Sequence, residues 1–179
     1  MLIERARSCL LVVDVQERLL PSIASNRTVL GRILLLMKAA RRLGVPMMAT
    51  EHWPENIGPL ATAVKGQLGG AEVFVKRHFA ATAEPGFAQK LDKGRPQIVV
   101  CGTEAHVCVL QTTLGLLAAG MAPIVVSDGV GSREPSDREV ALTRLRDAGV
   151  QVASAEMVVF EWLEQAGTPE FKDLITLIK

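Results

Sequence analysis

Three residues whose side chains can do covalent chemistry stand at the ends of apolar segments. Asp14 interrupts LLVVDVQ, Lys76 ends EVFVK, and Cys108 follows VVCGTEAHV. A carboxylate inside an apolar run is costly to bury unless it is paired. A thiol in the first turn of a helix meets unpaired backbone N–H groups and the positive end of the helix dipole, so we expect a lowered pKa at Cys108. Together, the three residues offer an acid, a cation and a thiol as candidates for one site.

Each residue also has a structural interpretation. Most free cysteines pack as small buried hydrophobes, which is the alternative for Cys108. An aspartate at a strand end often caps the following turn, which is the alternative for Asp14. Lys76 could be solvated, and the neighbouring Arg77 could pair with Asp14 instead. The residue types alone therefore leave the chemistry open.

Composition limits the class of protein. The chain has 179 residues, enough for one domain over 1–179, and no apolar run approaches the ~20 residues of a membrane span. Lys and Arg number 20 against 19 for Asp and Glu, and they are scattered, so neither nucleic acid nor a membrane is expected as a partner. The segment MLIERARS lacks the features of a secretory signal, and three cysteines without a CxxC pair favour a reducing compartment. We predict a cytoplasmic protein.

Apolar segments of strand length alternate with segments of helical periodicity. The expected strands span 9–15, 45–50, 72–76, 96–101, 123–127 and 150–154. The expected helices span 28–43, 60–68, 86–91, 107–119, 135–148 and 155–165, with a last one that begins at Thr168 and Pro169. This alternation predicts an α/β fold, a three-layer Rossmann-like parallel sheet of six strands with helices on both faces.

The predicted topology brings the three reactive residues to one edge of the sheet. Ligands bind doubly wound sheets beyond the carboxyl ends of the strands, where the strand order reverses. With the order 3-2-1-4-5-6, the first and fourth strands are central neighbours. Asp14 at the end of the first, Cys108 after the fourth and Lys76 at the end of the third then meet in one crevice.

No cofactor site is expected. His52, His78 and His106 fall on different loops or turns, without HxxxH or DxH spacing, so we predict no metal. His106 stands two positions before Cys108, a spacing that does not bring side chains together on a helix. No GxGxxG or GxxxxGK[ST] follows the first strand, so nucleotide sites lack their phosphate-binding glycines.

The segments LLVVDVQERLL, EVFVKRHFAA and VVCGTEAHVCVLQTTLGLLAAG resemble, in order, the three signature segments of the isochorismatase-like cysteine hydrolases. TEHWPENIGPL, VVSDGVGSRE and PEFKDLITLIK resemble the isochorismatase domain-containing branch of that superfamily. The resemblance implies the strand order 3-2-1-4-5-6, a triad of Asp14, Lys76 and Cys108, and a homo-oligomer. It also implies a non-proline cis peptide bond between Thr103 and Glu104.

The resemblance further implies a cysteine-dependent hydrolase, and the presence of Cys108 favours cleavage of an amide-type C–N bond through a covalent thioester. Metal-using members carry a DxH…H cluster after the second strand, where this chain has EHW. The oxyanion is expected to bind the backbone N–H groups of Cys108 and Glu104, in the turn that Thr103 begins. The side chains expected to line the pocket are those of His52, Trp53, His78, Phe79, Glu104 and His106.

Two alternatives remain at this point. The chain could keep the fold as a binding or scaffold protein without turnover. It could also be a redox-responsive thiol protein in which Cys108 forms a disulfide with Cys101.

Overall fold

Six parallel strands form the central sheet of the protein. A computed structural model describes residues 1–178, and Lys179, the last residue of the predicted domain 1–179, lies outside the described residues. The strands are β1 (Ser8–Val13), β2 (Met47–His52), β3 (Glu72–Lys76), β4 (Gln97–Thr103), β5 (Ala122–Gly131) and β6 (Gln151–Ala153). Their order is β3-β2-β1-β4-β5-β6, and every adjacent pair is parallel. The predicted fold class and strand order are confirmed.

Helices cover both faces of the sheet. The α-helices are α1 (Asn26–Leu43), α2 (Pro54–Ile57), α3 (Thr62–Lys65), α4 (Leu110–Ala118), α5 (Pro135–Asp147), α6 (Ala155–Leu163) and α7 (Pro169–Ile178). A π-helical turn, Ala105–Val109, precedes α4, and 3₁₀ turns occur at Arg5–Arg7, Leu20–Ser22, Ala81–Ala83 and Ala88–Lys90. None of the helices within residues 1–178 combines the length and the apolar character that crossing a membrane requires.

Successive residues of β1 belong to opposite faces of the sheet, as the pleat of a strand requires. Leu10 and Val12 pack in the apolar cluster that contains α1 and α6. Leu11 and Val13 pack in the second cluster, with α4 and α5. Because both faces are covered, the strand reads as a continuous apolar run rather than an alternating one.

Two short segments differ from their predicted form. The segment expected to be helical over 60–68 contains only the single turn α3, and the one over 86–91 contains only the 3₁₀ turn Ala88–Lys90. Both segments are too short to offset the cost of nucleating a helix without extensive packing. β2 continues beyond the predicted end at residue 50, because Glu51 and His52 pair with Val75 and Lys76 of β3.

Gly102 lets β4 approach β1 closely beside the end of both strands. Its φ is +131°, and a Cβ atom there would lie 2.0 Å from the backbone oxygen of Val13. Because that oxygen is backbone, β1 would have to move. Asp14, the residue after Val13, would move with it.

We therefore expect Gly102→Ala to lower the free energy of unfolding by about 3 kcal/mol, measured by urea denaturation. Gly149→Ala is the matched control: φ there is +87°, but nothing lies within 4 Å of the added Cβ. The control should cost only about 1 kcal/mol for its backbone conformation. Equal losses in the two variants would contradict the close approach at Gly102.

Candidate active site

Asp14, Lys76 and Cys108 lie beyond the carboxyl ends of the central strands. Asp14 directly follows β1, Lys76 is the last residue of β3, and Cys108 lies in the π-helical turn after β4. The side chains of Asp14 and Lys76 are fully buried, and Cys108 is 6% exposed. The three residues that the sequence singled out therefore share one buried place.

Asp14 and Lys76 form a buried ion pair. Lys76 Nζ donates a hydrogen bond to Asp14 Oδ2 at 2.7 Å. It donates two more to the backbone oxygens of His78, at 3.2 Å, and Phe79, at 3.1 Å. An ammonium group has three N–H donors, and all three have acceptors here. Lys76 is thus held as a cation with a fixed direction.

Arg77 does not compete with Lys76 for Asp14. Its guanidinium lies 3.5 Å from a carboxylate oxygen of Glu55 and 4.8 Å from the centre of the Trp53 ring, in an exposed position. The alternative in which Arg77 pairs with Asp14 is therefore wrong.

Asp14 is held from two further directions. Thr50 Oγ1, on β2, donates to Asp14 Oδ1 at 2.6 Å. Thr103 Oγ1, at the end of β4, donates to the backbone oxygen of Asp14 at 2.7 Å. Sequence reasoning missed Thr50, because a threonine in a strand is ordinarily a β-former. Its signal would have been its register, since it pairs with Val13, the residue before Asp14.

The pKa of the Cys108 thiol is raised, so the expectation of a lowered pKa is wrong. Burial has the largest effect, and the charge of Asp14 and hydrogen bonding to it raise the pKa further, whereas Lys76 lowers it. Desolvation and a neighbouring carboxylate both disfavour a thiolate. The resting residue is a protonated thiol beside a carboxylate.

The turn before Cys108 has the backbone that the resemblance implies. The peptide bond between Thr103 and Glu104 is cis. The backbone oxygen of Glu104 accepts from the N–H groups of Val107 and Val109, at 3.1 and 3.2 Å. The side chain of Glu104 lies 3.1 Å from Arg133 Nε, so its carboxylate is directed toward the loop after β5 rather than toward the thiol.

His106, like Glu104, contacts the segment that follows β5. Its Nδ1 lies 2.9 Å from Ser132 Oγ, and its Nε2 lies 3.6 Å from Asp137 Oδ2 at the start of α5. His106 therefore ties the turn to the loop between β5 and α5. It is not positioned as a base for Cys108, in agreement with the spacing argument.

His52 is the buried imidazole of the site. Gln16 holds its backbone from both sides: the His52 N–H donates to Gln16 Oε1 at 2.8 Å, and Gln16 Nε2 donates to the His52 oxygen at 3.0 Å. The pKa of His52 is lowered by burial first and by the charge of Lys76 second. Its Nδ1 is buried, and no residue within 1–178 gives it a hydrogen-bond partner. A neutral ring with a free polar atom thus lies near the ion pair.

The other predicted pocket residues are more exposed. Phe79 is 51% exposed and lies with its ring centre 5.2 Å from that of His52. Trp53 is 42% exposed. The ring of His78 binds Glu84 through Nδ1 at 2.8 Å. The structure therefore brings His52 and Phe79 together, while Trp53 and His78 lie at the surface nearby.

The sheet separates the two cysteines of the redox hypothesis. Cys101 packs in the cluster that contains α1, and its thiol contacts the backbone oxygen of Leu11 at 3.8 Å. Cys108 packs in the cluster on the opposite face. The two thiols are free and point into different cores, so the geometry opposes a disulfide between them.

Within residues 1–178, no group of three or more His, Cys, Asp or Glu side chains is arranged to hold a metal ion.

Comparison with known proteins agrees with this architecture. The Isochorismatase domain model matches residues 8–157. The chain belongs to the isochorismatase family. Isochorismatase domain-containing protein 2A of Mus musculus is 35% identical over 175 residues, which cover 96% of this chain and 82% of that protein. The predicted family and its isochorismatase domain-containing branch are confirmed.

Solved structures agree with the family assignment. A MAR1 ribonuclease from Caenorhabditis elegans superimposes with a TM-score of 0.93 at 32% identity, covering 99% of this chain and 92% of that chain. The YcaC gene product of Escherichia coli, an octameric hydrolase, superimposes with a TM-score of 0.92 at 21% identity, covering 99% of this chain and 90% of that chain. The second likeness shows the fold alone, which is that of the isochorismatase-like hydrolases.

The raised pKa of Cys108 leads to a prediction for Asp14→Asn. Because Asp14 raises that pKa, its neutralisation should move the pH dependence of Cys108 alkylation by iodoacetamide to lower pH by about one pKa unit. Peptide mass spectrometry gives the rate at each pH. Cys101, fully buried in the same molecule, is the internal control and should stay unreactive. An unchanged pH profile at Cys108 would mean that the charge of Asp14 does not act on the thiol.

Proposed function

We propose that the protein hydrolyses a small molecule at an amide-type C–N bond, through a covalent thioester on Cys108. The buried Asp14–Lys76 pair carries this proposal, because both charges act on the thiol. A carboxylate whose charge acts on a thiol is a candidate base for that nucleophile.

In the first step, Asp14 accepts the proton of the Cys108 thiol. The sulfur forms a bond to the substrate carbonyl carbon, and the C=O π electrons move to oxygen. Because the thiol pKa is raised, proton transfer accompanies the attack instead of preceding it. Asp14 thus has the part that histidine has in other thiol hydrolases.

In the second step, the tetrahedral oxyanion collapses. Backbone N–H groups of Cys108 and Glu104 stabilise it, each donor contributing about 3 kcal/mol. The C–N bond breaks, and the amine leaves with the proton from Asp14. Water then attacks the thioester carbon while Asp14 takes one of its protons. The C–S bond breaks, the acid product leaves, and the sulfur takes the proton back from Asp14.

Lys76 has an electrostatic role in this scheme. Its three N–H donors are occupied, so it holds Asp14 in place and favours negative charge on the sulfur without transferring protons itself. The stabilisation is greatest when the attack makes the sulfur negative, because the surroundings are of low dielectric.

His52 pairs in register with Lys76, and its Nδ1 is buried without a hydrogen-bond partner within residues 1–178. We propose that it hydrogen-bonds a polar group next to the scissile bond, because a buried polar atom without a partner is costly. The half-exposed rings of Phe79 and Trp53 would line the entrance, with His78 and His106 at its edges.

We propose a small substrate because the triad is almost fully enclosed. The C. elegans structure is that of a ribonuclease, so RNA is the macromolecular alternative for this chain. The scattered charge and formal net charge of +1 favour the small molecule. By analogy with the octameric YcaC product, we also propose a homo-oligomer. The cytoplasmic location remains a prediction.

One observation favours a protein without turnover: the pKa of Cys108 is raised, mainly by burial. A thiol that never loses its proton is a packing residue, and the fold would then serve binding alone.

A panel of small primary amides tests the hydrolase, with released ammonia as the readout. Intact mass spectrometry should detect an acyl adduct, and peptide mapping should locate it at Cys108. Cys108→Ala should lower turnover by about a thousandfold or more. Cys9→Ser is the matched control, since Cys9 lies on β1 away from the site, and it should keep full activity. Amide turnover that survives Cys108→Ala would contradict the thioester, and RNA cleavage without amide turnover would favour the ribonuclease.

We expect Lys76→Ala to fold and to lose about a hundredfold in kcat, because the base loses its orientation and the sulfur loses its cation. The variant should also lose about 3 kcal/mol of stability, since Asp14 stays buried without its partner. Lys90→Ala is the control: Lys90 pairs with Glu72 at 2.7 Å on the surface, and such a pair contributes less than about 1 kcal/mol. Unchanged turnover in Lys76→Ala would remove Lys76 from the mechanism.

A further inference from the structure

The loop after β3 supplies two of the three acceptors that hold Lys76. These are the backbone oxygens of His78 and Phe79. The direction of the Lys76 ammonium, and with it the position of Asp14, therefore depends on the conformation of this loop. An exposed loop is ordinarily among the more mobile parts of a protein, so a group that fixes it has consequences for the site.

One carboxylate fixes the loop. Glu84 Oε2 accepts hydrogen bonds from the backbone N–H of Arg77 at 2.8 Å, the backbone N–H of His78 at 3.0 Å and His78 Nδ1 at 2.8 Å. All three bonds converge on one oxygen. They close the segment 77–84 into a ring, and the backbone oxygens of His78 and Phe79 in this ring accept hydrogen bonds from Lys76.

The far end of the loop is attached to α4, which continues the helical turn that carries Cys108. The backbone N–H of Ala81 donates to Thr112 Oγ1 at 2.9 Å. Gly115 lets the loop lie against the helix, because a Cβ there would be 1.9 Å from Thr82 Oγ1. The loop thus connects the strand that ends in Lys76 with the helix of the thiol.

We propose that Glu84 is a positioning residue for Lys76, acting through the loop 77–84 on the orientation of the Asp14–Lys76–Cys108 triad. This inference rests on the proposed function, because the triad's orientation matters only where Cys108 reacts. Glu84 does not touch the reacting atoms. Its carboxylate is ionised at neutral pH, because the hydrogen bonds from His78 and Arg77 lower its pKa to about 2.

The test compares Glu84→Ala and Glu84→Gln with Glu55→Gln. Glu55 is the matched control, since it is an exposed acid that pairs with the side chain of Arg77 but accepts no hydrogen bond from the loop backbone. The probe is the rate of Cys108 alkylation by iodoacetamide over pH 7–9, which needs no substrate. Lys76→Ala is the reference variant: Lys76 lowers the pKa of the thiol, so its removal shows how much alkylation slows when that effect is lost completely.

We expect Glu84→Ala to slow the alkylation of Cys108 about tenfold, the change of one pKa unit and in the same direction as Lys76→Ala. Glu84→Gln, which keeps one acceptor oxygen, should give an intermediate rate and secures the test if Glu84→Ala does not fold. Glu55→Gln should stay within about twofold of the wild type. With a substrate that the enzyme turns over, kcat should fall by a larger factor than KM changes. A displacement of a catalytic group by about 1 Å can lower the rate about a hundredfold.

A lowered melting temperature with an unchanged Cys108 profile in both Glu84 variants would overturn the proposal, since it would leave Glu84 a purely structural role. Failure of the hydrolase proposal is distinguishable. It would appear as a lack of turnover on every amide and no adduct on Cys108, and the alkylation rates would still report whether Glu84 orients Lys76.

Discussion

The buried ion pair between Asp14 and Lys76 is the constraint on which the rest of the site depends. Two charges inside a protein cost several kcal/mol each unless their attraction and further hydrogen bonds compensate. Both conditions hold: the ammonium has three acceptors, and Asp14 Oδ1 accepts from Thr50. The pair also connects two strands that are not neighbours in the sheet. β1 and β3 lie on either side of β2, about 10 Å apart, and only a long side chain such as lysine reaches across.

The register of β2 completes this arrangement. Thr50 pairs with Val13 and donates to Asp14, and His52 pairs with Lys76. The strand between the two charges therefore provides a donor to Asp14 and places an imidazole beside Lys76. The extension of β2 to His52 thus places this residue beside the ion pair of the proposed site. The sheet carries Thr50, His52 and Lys76, and Asp14 directly follows β1, whereas the turn after β4 supplies the thiol.

Much of the fold could be predicted from the sequence, because each buried strand is an unbroken apolar run and each long helix has a clear stop, such as Gly44, whose N–H bonds to Ala40 and Arg41 oxygens. The strand order and the cis bond came from the resemblance rather than from periodicity. The segments over 60–68 and 86–91 were misjudged, because short amphipathic stretches are decided by tertiary packing. Thr50 and Glu84 were missed for a similar reason: their partners are set by register and loop closure, which leave no local pattern. The sign of the Cys108 pKa shift depends on burial, which the position at a helix start does not reveal.

The raised pKa of Cys108 also affects how easily the thiol is oxidised or modified. Peroxides and stray electrophiles react with thiolates far faster than with thiols, so a cysteine that stays protonated is a poor target for both. In the proposed mechanism, Cys108 becomes reactive only when a carbonyl compound enters and Asp14 takes the thiol proton. A site built this way trades some speed for selectivity between substrate and oxidant, and it keeps its nucleophile intact between encounters.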